Sequence, residues 1–415
     1  MRQSSLFSKV RREAPTDEQS KNARLLIQAG YVDKVMAGVY SYLPLGLRVL
    51  NNICEIIRQE MNALGAHELS LTALQNPEVW KKSGRWDGDV WFKTQLTEGG
   101  ELGLGWTQEE EITQLMTRHI QSYKDLPVAA YQIQTKFRNE ERAKSGILRG
   151  REFLMKDLYS FHSSEAEDLD LFYQRAQDAY AKIFARVGLG GPPAGGTFPT
   201  IASGGAFSKW SHEFQTLSDA GEDTIYYSKE KGIAVNKEVY SSEVLEELGL
   251  SADELTEGAS IEVGNIFKLG TRFSEPLGLL YTDEAGDRYP VVMGSYGIGP
   301  GRLMGTIVEV LSDDKGIVWS AEVAPFRYHL IALPDANGLV EREADMLYKH
   351  LTAAGIEVLY DDRFELSAGE RFADADLIGI PTRLVLSERT LGKGVERKER
   401  ARGVQEIVPY AQLES

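Results

Sequence analysis

The sequence predicts an α+β fold in two parts. A large N-terminal body clusters its strands with helices between them, and a small C-terminal α/β domain carries a mixed sheet. Three observations lead there. Apolar spacing switches repeatedly between the helical and the extended period. Beyond Val323-Ala-Pro-Phe326 the texture becomes a regular β–α alternation. The chain has 415 residues, 42% of them hydrophobic, enough for more than one domain at roughly 150 residues each. The expected boundaries are 1–322 and 327–415.

Taken in order, residues 46–64 place Leu50, Ile53, Cys54, Ile57, Met61 and Leu64 on one helical face, and Gly65 ends the pattern. Leu69, Leu71 and Ala73 then alternate as in a half-buried strand. PVAAYQIQTKF at 127–137 is β-rich and runs into a charged loop. The longest helix is predicted over 165–187, with Ser164 and Glu167 as a capping box and Gly188 as its stop. Residues 188–206, rich in Gly and Pro, read as an irregular connection. EVGNIFKLG, LGLLYTD and RYPVVMGSYG read as strands, followed by a helix over 302–311. In the last part RYHLIAL, GIEVLYDD and TRLVLSE are strands. The intervening helices carry Val340, Ala344, Leu347 and Leu351, and residues near 369–378.

Charge and cysteine content narrow the class. The net charge of −16 argues against a basic nucleic-acid coat, though not against local basic patches. A single cysteine, Cys54, excludes a disulfide framework or a cysteine-rich zinc site. The N-terminus meets charges before any apolar run, and no stretch reaches the roughly 20 apolar residues of a bilayer span. A soluble cytoplasmic protein without membrane contact is expected.

Four segments carry chemistry. KFRNEERAKSGILRGREFLMK at 136–156 holds seven basic residues against three acidic ones. Arginine forks suit phosphate and carboxylate oxygens, while a solvated hairpin tip has the same composition. Gly294-Ser-Tyr-Gly-Ile-Gly-Pro-Gly-Arg302 opens a helix. It is neither a dinucleotide fingerprint nor a P-loop, but close backbone approach, a helix N-terminus and an arginine can hold a polyphosphate. Thr107-Gln-Glu109 could grip an ammonium group, or simply cap a helix. Ser211-His212-Glu213-Phe214 lacks the spacing of a zinc motif and reads alone as structural. A further basic stretch, 383–402, holds seven basic residues against three acidic ones.

Together and in this order these segments resemble a class II aminoacyl-tRNA synthetase, specifically the bacterial-type prolyl-tRNA synthetases. AGVYSYLPLGLRVL, TKFRNEERAKSGILRGREFLMKDLYSFH and VVMGSYGIGPGRLMGTIVE are similar to the three class-defining motifs, near 38–74, 135–162 and 291–310. Thr107-Gln-Glu109, SHEF, EVGNIF, GIVWSAEVAPF and VLYDDR match the prolyl branch. The resemblance implies an antiparallel class II sheet with flanking helices, an anticodon-binding domain, and ATP-dependent ligation of L-proline to tRNA(Pro) through prolyl-adenylate. Arg138, Glu140, Arg149, Arg302 and Gly299 would hold ATP, with Arg138, Glu140 and Arg302 catalytic. Thr107, Glu109, Arg138, His212 and Ser295 would surround proline. Arg142, Lys144, Arg363, Arg397 and Lys398 would contact tRNA. Mg²⁺ would arrive with ATP, with no protein-only metal site, and a homodimer is implied.

Three departures stand out. Ser295 occupies a position where the family often has cysteine. Gly204 and Gly205 lie upstream of their usual place before SHEF, which bears on the nucleotide contacts of that segment. His212 and Gly297 are only 85 residues apart, too close for the inserted editing domain of longer members. This is the short form, and a separate trans-editing hydrolase is an expected partner. Two other readings fit the class: a synthetase for another amino acid such as threonine, and a retired paralogue that binds tRNA. Cys54 is badly placed for a threonyl zinc site, and intact Arg138, Glu140 and Arg302 argue against retirement.

Overall fold

The computed structural model describes residues 1–16, 18–141, 143, 145–191, 195–205 and 208–414. They form two compact units. One comprises Met36–Val39 and Ile53–Thr306, the other Met1–Val35, Tyr40–Asn52 and Ile307–Ser415.

The first unit is built on a nine-stranded sheet. Its strands are β1 (Val128–Phe137), β2 (Glu152–His162), β3 (Thr197–Ser203), β4 (Trp210–Leu217), β5 (Asp223–Ser228), β6 (Ile233–Asn236), β7 (Thr256–Gly270) and β8 (Val292–Ile298), with a two-residue strand His67–Glu68 at the edge. The order is β4-β3-β6-β5-β7-β8-β2-β1, then His67–Glu68. Because β4 also pairs with β7, the first five strands close into a ring. Pairing is antiparallel except between β3 and β6 and between β1 and His67–Glu68.

Each face of the sheet has its own cover. Helix α2 (Glu109–Met116; α1 is Lys21–Gln28 of the other unit) lies on one, where Ile112 and Met116 join Tyr159, Phe161, Leu269 and Met293 in a core. Helix α3 (Asp170–Arg186) lies on the other, where Tyr180 and Phe184 meet Phe214 at ring distances of 5.1 and 5.2 Å. Alternation along each strand therefore decides what a residue can do. Polar side chains on the α2 face build the site, and those on the α3 face enter an aromatic core.

In the second unit β9 (Tyr328–Ala332), β10 (Val358–Asp361), β11 (Thr382–Leu386), β12 (Val395–Glu399) and β13 (Gln405–Val408) run in the order β10-β9-β11-β12-β13. β9 pairs in parallel with β10 and β11, and the last two pairings are antiparallel, giving the mixed sheet the alternation predicted. Val340, Ala344, Leu347 and Leu351 are the buried stripe of the helix Leu339–Ala353. The N-terminus belongs to this sheet, which the sequence did not signal. The Met1 amine donates to Val358 O at 2.7 Å, and Tyr360 N donates to Met1 O at 2.8 Å. Arg2 pairs with Asp362 and Asp345 at 3.0 and 2.9 Å, covering the edge strand.

Three expectations change. Leu69–Ala73 is not a strand. Leu69 N reaches Tyr131 O, while Leu71 N and Thr72 N are taken by the Gln132 and Glu111 side chains, so no ladder forms. Residues 197–203, expected to be irregular, are β3, buried inside the closed ring, where alternation gives no signal. The long helix opens with a π turn at Glu165–Leu169, and Ser164 Oγ accepts from Glu167 N at 3.3 Å.

The second unit buries Asp361 and Arg371 completely, at 3.3 Å, with Arg363 completing the cluster at 2.8 Å from Asp361. Removing the carboxylate leaves a buried guanidinium without its counter-charge. Asp361→Ala is expected to cost about 3–5 kcal/mol in urea unfolding, and a loss below about 1 kcal/mol would contradict a dependence on this ion cluster.

Candidate active site

A cavity of about 360 Å³ opens on the α2 face, lined by Arg138, Glu140, Arg149, Met155, Glu262 and Arg302 among others. Its arginines come from three places. Arg138 follows β1, Arg149 sits in the loop before β2, and Arg302 lies in the first turn of the helix Pro300–Leu311 that follows β8.

Each arginine is held differently. Arg302 donates from Nε to Leu148 O at 3.0 Å and from Nη1 to Glu262 Oε2 at 2.9 Å. Arg149 pairs with Glu140 at 2.8 Å and with Glu222 at 2.6 Å. Arg138 donates only from Nε, to Trp106 O at 3.3 Å, over the Phe153 ring at 5.2 Å, and it forms no ion pair among the described residues. Burial first, and then Arg302, lower its pKa, while Asp157, Glu262 and Glu109 pull the other way. An arginine stays protonated even so. Arg138 is therefore a half-buried cation on the cavity wall with its terminal N–H groups uncommitted among the described residues, standing within the field of both Glu109 and Arg302.

A wall of carboxylates faces these cations. Glu213 accepts from Gln215 and Asn236 at 2.8 and 3.0 Å, and burial, with Glu262 beside it, pushes its carboxyl up to about 7. Asp223 is also raised by burial. Gly297, in β8, is tightly packed: a Cβ there would lie 2.8 Å from Asn265 Oδ1. Gly299, expected to matter for close approach, lines the cavity but has room for a Cβ, whose nearest neighbour would be Arg302 Cβ at 3.4 Å.

Thr107 and Glu109 form a second, adjoining cluster. Thr107 Oγ1 donates to Glu109 Oε2 at 2.6 Å, and Tyr159 OH donates to Glu109 Oε1 at 3.3 Å. Ser295 lies beside Tyr159 in the ladder and so on the same face. The structure does not bring His212 to this group. Its register partners are Ile266 and, through it, Tyr296 and Leu158, the row on the α3 face. There Tyr173 OH lies 2.9 Å from His212 Nδ1 and donates to Ile266 O, and burial pushes the imidazole down to about 4. Strand alternation turns the neighbouring Glu213 to the cavity side instead.

The expected tRNA contacts are also redistributed. Arg142 and Lys144 lie outside the described residues. Arg363 is spent on Asp361 and Asp374. Arg397 pairs with Glu406 at 2.5 Å, Arg383 with Asp376 at 3.0 Å, Arg400 with Asp313 at 2.6 Å, and Arg389 with Glu396. The stretch 383–402 is thus largely neutralised, mostly by carboxylates within ten residues of their arginines and, for Arg400, by the distant Asp313. Lys398 has no carboxylate ion pair among the described residues, and burial, then Arg383, lower its pKa.

Two functional candidates escaped sequence reasoning. Glu262 opens the EVGNIF segment but had no assigned role. Arg85, which reaches both Glu109 and Glu110 at 3.1 Å, was not signalled, being one of four cations in the tryptophan-rich stretch 80–93.

Residues 92–311 match the tRNA synthetase class II core domain (G, H, P, S and T), and residues 329–415 match an anticodon-binding domain. A proline–tRNA ligase from Rickettsia africae is 38% identical over 429 residues, covering 99% of each chain. One from Exiguobacterium sibiricum is 35% identical over 563 aligned positions, covering all of this chain and 98% of the relative. Among solved structures, the prolyl-tRNA synthetase of Cryptosporidium parvum, crystallised with halofuginone and AMPPNP, is similar at TM-score 0.77 and 16% identity, over 95% of this chain and 75% of that one. The fold of the Giardia lamblia enzyme, with prolyl-adenylate, is similar at TM-score 0.75 and 19% identity, over 94% and 75%.

The raised Glu213 gives a pH test. A carboxyl at about 7 when folded, against an ordinary 4.5, binds its proton more tightly folded than unfolded. Stability should therefore fall as pH rises from about 4.5 to about 7. Glu213→Gln removes that loss, so in urea unfolding the variant should gain on the wild type between pH 5 and pH 8. A gap that stays constant with pH would contradict it.

Proposed function

The chain belongs to the class II proline–tRNA ligase family in its short form, and we propose how its residues divide the ATP-dependent ligation of L-proline to its tRNA. The observation that carries the proposal is Arg138. It is a half-buried guanidinium with uncommitted donors, held at the end of β1 in the field of the Thr107–Glu109 cluster and of Arg302.

In the first step a proline carboxylate oxygen attacks the α-phosphorus of ATP, and the bond to pyrophosphate breaks. Glu109 and Thr107 accept the two N–H groups of the secondary ammonium. Tyr159 and Ser295 form the floor beside them. Arg138 joins the two substrates, one N–H toward the proline carboxylate and one toward the α-phosphate. Arg302 and Arg149 face the remaining phosphates, with Glu262 and Glu140 fixing their forks. No side-chain nucleophile is needed, because positioning and charge supply the acceleration. In the second step a ribose hydroxyl of the terminal tRNA adenosine attacks the prolyl carbonyl, and AMP leaves. Arg142 and Lys144 are assigned to the acceptor end, and Arg397 and Lys398 to anticodon-arm phosphates.

Mg²⁺ fits the carboxylate wall. Asp223 and Glu262 line the phosphate cavity with hard oxygen donors, which suit a divalent cation held together with the ATP phosphates. When bound, Mg²⁺ supplies neutralisation of phosphate charge. We assign catalysis to 1–322 and anticodon binding to 327–415. A homodimer and a cytoplasmic place of work complete the proposal. No helix among the described residues is long and apolar enough to cross a membrane.

Glu109→Gln keeps shape and removes charge. Proline-dependent ATP–pyrophosphate exchange should fall by roughly 2–3 orders if a charge-assisted contact of about 3 kcal/mol is lost, and near-wild-type kinetics would remove Glu109 from the ammonium site.

Fidelity gives a second test. A pocket that admits the proline ring cannot exclude alanine by size, and lost methylene contacts discriminate by only about 1–3 kcal/mol each. The purified enzyme should make alanyl-tRNA(Pro) and leave it intact, so that a separate hydrolase clears it. Enzyme-dependent deacylation of pre-formed alanyl-tRNA(Pro), well above the spontaneous rate, would reveal an editing site in this chain.

A further inference from the structure

We infer that Arg85 is a positioning residue for proline recognition: its guanidinium neutralises Glu109 and Glu110 together and so holds the Glu109 carboxylate facing the substrate. The inference rests on the assignment of Glu109 to the proline ammonium.

Glu109 and Glu110 are neighbours at the start of α2, and both are buried. A helix N-terminus favours negative charge, but two adjacent buried carboxylates need a counter-charge. Arg85 provides one from outside the helix. Its Nη1 lies 3.1 Å from Glu109 Oε2 and 3.1 Å from Glu110 Oε1. The guanidinium is itself immobilised, stacked 4.4 Å from the Trp106 ring centroid, with Phe273 at 5.2 Å and Trp80 at 5.3 Å. Its backbone is pinned as well, because Trp91 Nε1 donates to Arg85 O at 3.0 Å. Only 16% of the side chain is exposed.

The remaining contacts show what this accomplishes. Ser83 Oγ donates to Glu110 Oε1 at 2.6 Å, so Glu110 is turned away and fully buried. Glu109 keeps Thr107 and Arg85 on one oxygen and Tyr159 on the other. The other charges near this cluster are Arg138 after β1 and Asp157 on β2. Neither touches Glu109 among the described contacts. Arg85 is thus the ion-pair partner that aligns Glu109, and it reaches both carboxylates from one terminal nitrogen, Nη1.

The test uses the full-length enzyme and ATP–pyrophosphate exchange, with proline and ATP varied separately. Arg85→Gln should raise KM for proline at least tenfold and leave KM for ATP within about twofold. Arg85→Lys keeps a charge without the fork, is the variant safer for folding, and should raise KM for proline about three- to tenfold. Arg85→Gln combined with Glu110→Gln should recover much of the loss, because the competing charge is gone. Equal rises in both KM values, an unchanged proline KM in the lysine variant, or a double variant no better than Arg85→Gln would each overturn the inference. Glu109→Gln run alongside separates the two assignments. If it abolishes exchange while the Arg85 variants do not alter proline KM, only the role of Arg85 fails. If it leaves exchange intact, the proline assignment itself fails.

Discussion

A guanidinium held half-buried in the cavity wall, with no carboxylate of its own among the described residues, is the constraint on which this active site depends. Arg138 is half-buried, its side chain hydrogen-bonded among the described residues through Nε to a backbone oxygen, and close enough to Arg302 to feel its charge. Such a group is costly unless an anion completes it. The surrounding arrangement keeps that cost in place until substrate arrives. Arg302 and Arg149 are each tied to glutamates, so their forks are oriented and Arg138 remains the uncommitted cation of the three. Binding a carboxylate and a phosphate then satisfies a group that the fold leaves incomplete.

The sheet makes this possible through register alone. β1, β2, β8 and β7 lie side by side, and alternation sends Asp157, Tyr159, Ser295 and Asn265 to the α2 face while Lys156, Leu158, Tyr296 and Ile266 go to the α3 face. The same rule separates His212 from Glu213. One enters an aromatic core against Tyr173, and the other joins the carboxylate wall. A shift of one residue in β4 would exchange them.

The sequence made legible whatever was local or periodic. The helix face of Val340, Ala344, Leu347 and Leu351, the strands of the C-terminal domain, and the arginines at 138, 149 and 302 all follow from spacing or motif. What it hid depends on partners outside the segment being read. The basic stretch at 383–402 shows an excess of positive charge because a count over the segment leaves out Asp376 and Glu406 just beyond its ends and Asp313 far before it. His212 looked like a ligand because a motif gives residue identity but not strand phase. β3 was masked by the Gly- and Pro-rich residues around it, and Arg85 because its carboxylates lie 24 and 25 residues away. The N-terminus pairing with β10 joins residues more than 350 apart, beyond any local signal.

The central claim is that Arg138 serves both the amino acid and the phosphate through a planar fork. The most direct measurement is single-turnover formation of prolyl-adenylate by Arg138→Lys at saturating proline and ATP. Lysine keeps the charge but cannot present two parallel N–H groups. The account predicts a rate at least tenfold below wild type, with the fold intact by circular dichroism. A wild-type rate in this variant would contradict it.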